Sequence, residues 1–103
     1  MDQKSALEIG RKYLLLLLQR NYPVTRMFLY GSYARGNYHP DSDIDLAIIL
    51  NEMHDPFQTQ VDLLQLTWNF DTRVEPHPFN ASDFSSMNPV IKEILRTGIE
   101  ISA

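Results

Sequence analysis

A chain of 103 residues, 44% of them hydrophobic and none of them cysteine, has material for one core in one domain. The lack of cysteine excludes a disulfide frame, a thiolate nucleophile and a zinc ribbon. The net charge of −4 is uneven, with six Lys or Arg against two acids in residues 1–40 and three against eleven in residues 41–103. An acidic chain without a long basic groove is a poor general binder of DNA or RNA.

Ser5-Ala6-Leu7-Glu8 has the form of a capping box and predicts a helix running to about Arg20. Ala6, Gly10, Tyr13, Leu14, Leu17 and Leu18 form its core-facing stripe. Leu15 and Leu16 fall outside the stripe, so the helix is apolar over most of its girth. It is either covered on two sides by its own domain or a surface for docking a partner. The apolar stretch at 13–18 is too short to span a bilayer. It runs into Gln-Arg-Asn instead of a small-residue cleavage site, so a cytoplasmic protein is expected. The basic residues of this half face either an acidic partner, a triphosphate or plain solvent.

After Asn21-Tyr22-Pro23 a strand is expected at about 24–30, ending at Gly31, which has no Cβ to prevent close backbone approach. If Tyr33 to Arg35 begin a helical turn, their N–H groups and the Ser32 hydroxyl make an anion site over the glycine. Arg35 adds a forked cation suited to phosphate. The alternative is an ordinary turn containing Gly and Ser. A Walker A loop is excluded, because Asn37-Tyr38 stand where Lys-Ser or Lys-Thr must be.

A second strand is expected at about 44–50, with Asp43 and Asp45 at its entry pointing the same way, about 7 Å apart at Cα. Its remaining residues are apolar on both faces, which predicts a central strand covered on both sides. Two carboxylates at the entry of such a strand repel one another unless something positive lies between them, and Mg²⁺ is the natural neutraliser. The alternative is a solvated strand end with acids as polar punctuation.

Asp55-Pro56 opens a second long helix to about Thr67, with Val61, Leu64 and Trp68 inward and Trp68 and Phe70 in the core. In the third strand segment, Asp71, Arg73, Glu75 and His77 share one parity. Pro76 is expected to end that strand, and His77, between two prolines, is read as a loop residue. Arg73 has an acid beside it to pair with. A Pro- and Ser-containing loop with Phe79 and Phe84 follows. Asn88-Pro89 then reads as an N-cap with Pro at the first helical position, Gly98 as the stop, and Ile99-Glu100-Ile101 as a short final strand.

Gly31-Ser32-Tyr33-Ala34-Arg35-Gly36 together with Ser42-Asp43-Ile44-Asp45-Leu46 resembles the signature of the polymerase-β-like nucleotidyltransferase superfamily, which is Gly-Ser, about ten residues, then Asp-x-Asp or Asp-x-Glu. The fuller form is similar to its minimal nucleotidyltransferase branch, whose members are often antitoxins paired with a helical HEPN ribonuclease. The resemblance implies an α/β domain with a mixed β-sheet and helices mainly on one face. It also implies a third carboxylate, for which Glu75 is preferred over Asp71, although the family more often has Asp there. With Asp43, Asp45 and Glu75 as the catalytic and metal-binding acids, it implies a two-metal Mg²⁺ site acting on ATP, with Gly31, Ser32 and Arg35 binding the phosphates.

A chain this short lacks the extra helical lobe of larger relatives, so the missing wall is expected from a second copy or another protein. Two readings follow. One is transfer of AMP to a hydroxyl of a HEPN toxin, a tyrosine by resemblance. The other is an antitoxin or partner subunit that acts by binding alone. A small-molecule adenylyltransferase is the third and least supported, for want of an acceptor lobe.

Overall fold

The structure is a computed structural model that describes residues 1–85 and 87–103. Helix α1 spans Gln3–Gln19 and is capped by Asp2, whose carboxylate accepts a hydrogen bond from the Ser5 N–H at 2.8 Å. The helix therefore starts three residues before the place that the Ser5 box predicts. A carboxylate at the N-cap satisfies a free donor and also sits well at the positive end of the helix dipole. Ala6, Gly10, Tyr13, Leu14 and Leu17 are buried as expected, whereas Leu18 is exposed.

Four strands form one sheet: β1 (Val24–Tyr30), β2 (Ile44–Leu50), β3 (Val74–Asn80) and β4 (Ile99–Ile101), in the order β3-β2-β1-β4. β1 runs antiparallel to both β2 and β4, while β3 lies parallel to β2. The parallel pair needs a crossover, and α3 (Pro56–Thr67) supplies it, capped by Asp55 with Pro56 at its first position. The central strand is β2, covered on both faces as its apolar run predicts. Ile44, Leu46, Ile48 and Leu50 join Met27 and Leu29 under α1 and α3. Ala47 and Ile49 join Phe28 on the opposite face, beneath α4 (Pro89–Thr97) and the aromatic ring of Phe84. The result is the expected α/β domain with a mixed sheet and most helices on one face.

Helix α4 begins at its Asn88 cap, whose side chain accepts from the Val90 N–H at 2.9 Å, and ends at Gly98. Ser86, in the Ser-containing loop expected before it, lies outside the described residues. Two expectations are corrected. Leu64 and Trp68 were expected inward, yet they are 41% and 65% exposed, and Leu63 and Thr67 are the buried residues of α3. The helix is rolled by one residue because it packs over the edge strand, where the Gln60 amide donates to the Pro76 carbonyl. Phe70 does join the core, against Tyr13.

Pro76 does not end the third strand, which starts at Val74 and runs on through Pro76 and Pro78. β3 is an edge strand. Arg73 accepts from the Ile44 N–H, so the odd-numbered residues face the ladder and the prolines face outward, where no N–H is required. His77 is thereby a strand residue. Among the described residues, no helix is long and apolar enough to cross a membrane.

The buried Tyr13 hydroxyl donates to the Leu63 carbonyl at 2.7 Å and ties α1 to α3. Tyr13→Phe removes that bond, while the Leu63 carbonyl keeps its place in the helix ladder of α3, and is expected to cost about 0.5–1.5 kcal/mol, read as a lower urea midpoint with an unchanged slope.

Candidate active site

Side-chain alternation along the strands puts Tyr30, Asp45, Glu75 and His77 on the face that α4 covers. Tyr30 pairs with Asp45, and Asp45 pairs with Glu75, so one cross-strand row spans β1, β2 and β3. Asp43 lies one residue before β2, beyond the turn in which Ser42 Oγ accepts from the His39 N–H at 2.8 Å. The row sits at the end of the sheet where the Gly31 turn leaves β1.

Gly31 has φ 75° and ψ −152°, a region open essentially to glycine alone. A Cβ at this position would also overlap Asp45 Oδ2. The glycine thus serves twice, by turning the chain into helix α2 (Ser32–Arg35) and by making room for a carboxylate. The Arg35 N–H donates to the Gly31 carbonyl at 3.1 Å, so it is spent on the turn. The first-turn amides of Ser32, Tyr33 and Ala34 are those without an intrahelical acceptor. Gly36, at φ 85°, closes the short helix in the left-handed conformation.

The turn and the acids share an open cleft of about 670 Å³. It is lined by Gly31, Ser32 and Arg35 of the turn, by Asp43 and Asp45, and by Pro89, Val90 and Glu93 of α4. Glu75 is adjacent, on the β3 side. The carboxyl of Asp43 lies within hydrogen-bonding reach of Glu75 and raises the Glu75 pKa above its ordinary 4.5, with burial and the Asp45 charge adding to the effect. The Tyr30 hydroxyl is pushed up too, by burial first and then by Asp45 and Glu75. Asp71, the competing third acid, is turned to other use. It binds the Arg73 guanidinium at 2.7 Å, which holds its carboxyl below the usual range.

These donors fit a divalent cation. Asp43 and Asp45 offer hard oxygens, and the crowding of Asp43 on Glu75 is charge that a cation relieves. Mg²⁺ is commonly held by one or two carboxylates, with substrate phosphates and water completing its shell. Among the described residues, no group of three acids or histidines is arranged to hold a metal ion.

The α4 wall and the part taken by Tyr30 were not anticipated from the sequence. Tyr30 is signalled by its place directly before the Gly-Ser turn, on the same face as Asp45. The α4 wall carries no local signal, because it reaches the cleft through tertiary packing, such as that of Ile94 with Phe28 and Ala47.

A family model described as nucleotidyltransferase domain matches residues 11–98. The chain belongs to that family. A Methanocaldococcus jannaschii protein, named as a candidate protein adenylyltransferase, is 54% identical over 28 residues, which make up 27% of this chain and 28% of that protein. In fold the chain is similar to a Sulfolobus solfataricus nucleotidyltransferase-like protein (TM-score 0.67, 15% identity, 95% of this chain and 80% of that one). It is also similar to a chain of a Shewanella oneidensis complex of a tri-AMPylated HEPN toxin with an MNT antitoxin (TM-score 0.60, 19% identity, 94% and 72%). A chain of a toxin–antitoxin complex with AMP-PNP gives a TM-score of 0.64 at 22% identity over 90% of this chain and 73% of that one.

Two outcomes follow. Gly31→Ala is expected to destabilise the fold by about 1–3 kcal/mol and to displace Asp45, seen as a lower urea midpoint together with weakened divalent-cation binding. The second concerns pH. Because the folded-state pKa of Glu75 is raised, its contribution to stability is full below pH 4.5 and is lost as pH rises through the elevated value. In chelator, the stability of the wild type relative to Glu75→Gln is therefore expected to fall as pH rises, and added Mg²⁺ to narrow the gap.

Proposed function

We propose that this protein is a Mg²⁺-dependent nucleotidyltransferase that moves AMP from ATP to a hydroxyl, a tyrosine, on a HEPN-type toxin, and so acts as its antitoxin. The observation that carries the reading is the acid group Asp43, Asp45 and Glu75 beside the Gly31-Ser32 turn, at the mouth of one cleft. The adenylyltransferase and AMPylated-toxin relatives support it.

The Ser32 hydroxyl and the first-turn amides bind phosphate oxygens, and Gly31 lets them approach closely. Arg35, exposed at the rim, adds a fixed charge on the same side. Pro89 and Val90 offer the nucleoside an apolar wall. The acceptor oxygen attacks the α-phosphorus, a new O–P bond forms, and the bond from the α-phosphorus to the bridging oxygen breaks as pyrophosphate leaves. The acceptor's proton goes to water. Mg²⁺ bound at Asp43 and Asp45 would supply charge neutralisation and a lower pKa for the acceptor hydroxyl. The protein's own share is positioning in a prepared field.

Binding without catalysis is the second reading. It is favoured by the apolar stripe that α3 leaves uncovered, with Phe57 78% exposed in line with Leu64 and Trp68.

Intact-mass measurement of a HEPN partner encoded beside this gene, after incubation with the protein and Mg²⁺-ATP, separates the two. The wild type is expected to add whole AMP units. Asp43→Asn is expected to slow this by more than the ~10–100-fold typical of losing an outer metal-site partner. A stable complex with no mass gain would establish the binding reading instead.

A further inference from the structure

His77 is a member of the cross-strand face that the mechanism above does not use. It sits one step in from Glu75 on β3, opposite Ala47, and shares the face of Asp45. Its Nε2 is buried, makes no hydrogen bond, and lies 3.5 Å from Asp45 Oδ1. The Tyr30 ring meets the imidazole edge-on, with centroids 5.6 Å apart. The other oxygen of the same carboxylate, Oδ2, occupies the space where Gly31 lacks a Cβ. Asp45 is thus bounded on one side by absent bulk and on the other by a polar atom without a partner.

The flanking sequence prepares this arrangement. In Glu75-Pro76-His77-Pro78, both Glu75 and His77 precede a proline, which disfavours helical backbone and holds each residue extended. Two consecutive inward positions of β3 are therefore fixed before any ligand arrives. At 3.5 Å the pair stands at the long end of hydrogen bonding, and hydrogen bonds at catalytic sites often tighten only with substrate bound.

We propose that His77 is a positioning residue for Asp45. Its Nε2–H donates to Oδ1 and fixes the orientation in which the carboxylate meets a cation. The proposal rests on reading Asp43 and Asp45 as the metal-binding pair. Carboxylate ligands are commonly held by such outer hydrogen bonds, and losing one costs metal affinity more than fold.

The test is titration of Mn²⁺, as a spectroscopic stand-in for Mg²⁺, into protein with a non-hydrolysable ATP analogue. Wild type, His77→Phe, His77→Gln and Asp43→Asn are compared, with urea midpoints measured in parallel. His77→Phe is expected to weaken Mn²⁺ binding by ~10–100-fold, while His77→Gln, whose amide nitrogen can reach the place of Nε2, returns to within roughly threefold of wild type. If the Phe variant unfolds early, His77→Met serves as the variant without a donor. Wild-type affinity in the variant lacking a donor overturns the proposal, and so does a Gln variant as weak as that one. In either case, a loss of binding in Asp43→Asn leaves the metal pair standing. If Asp43→Asn binds Mn²⁺ as the wild type does, the metal reading fails and the proposal falls with it.

Discussion

Antiparallel pairing puts Tyr30 across from Asp45, and parallel pairing puts Glu75 on its other side, so three strands bring one row of side chains to one end of the sheet. The pairing is held by burial on both faces of β2. Its even-numbered residues belong to the layer beneath α1 and α3, and its odd-numbered residues to the layer beneath α4. A slip of one residue would exchange the two sets and carry Asp45 into the apolar layer. The core therefore enforces the geometry of the site at a distance, through register, and no contact with the acids is needed for it to do so.

The elements with strong local chemistry are legible in the chain. The bounds of β1 and β2 follow from apolar runs that stop at Gly31 and start after the Asp43 turn, and α3 and α4 follow from Asp-Pro and Asn-Pro starts. The failures share one cause, which is that a neighbour decided the outcome. Leu64 and Trp68 fit a helical stripe, yet α3 is rolled toward Leu63 by its seat over β3. Pro76 signals a strand end only if its N–H would be needed, and on an outward edge it is not. At the site, Gly31, Ser32, Arg35, Asp43 and Asp45 all line the cleft that motif spacing points to, with Glu75 beside them. The wall from α4 joins two distant parts of the chain and has no signature in either.

The electrostatics of the cleft are lopsided. Asp43, Asp45 and Glu75 stand on or beside β2 and β3, Asp41 and Glu93 also line the cleft, and Arg35 is the one cation among the described residues that line it. The Asp43 carboxyl within hydrogen-bonding reach, burial, and the charges of Asp43 and Asp45 together hold the Glu75 carboxyl above its ordinary pKa. A polyanion entering alone would meet the same field, whereas one already carrying a divalent cation would find the repulsion relieved.

The prolines of β3 have a consequence beyond the site. A sheet edge normally offers a row of N–H and C=O groups onto which another chain can add. On the outer margin of β3, positions 76 and 78 have no N–H to give, and the carbonyl of Pro76 is already taken by Gln60. At the other margin, β4 is only three residues long. The strand that carries Glu75 and His77 is therefore a poor template for further strands, which guards that margin of the domain against growth into aggregates.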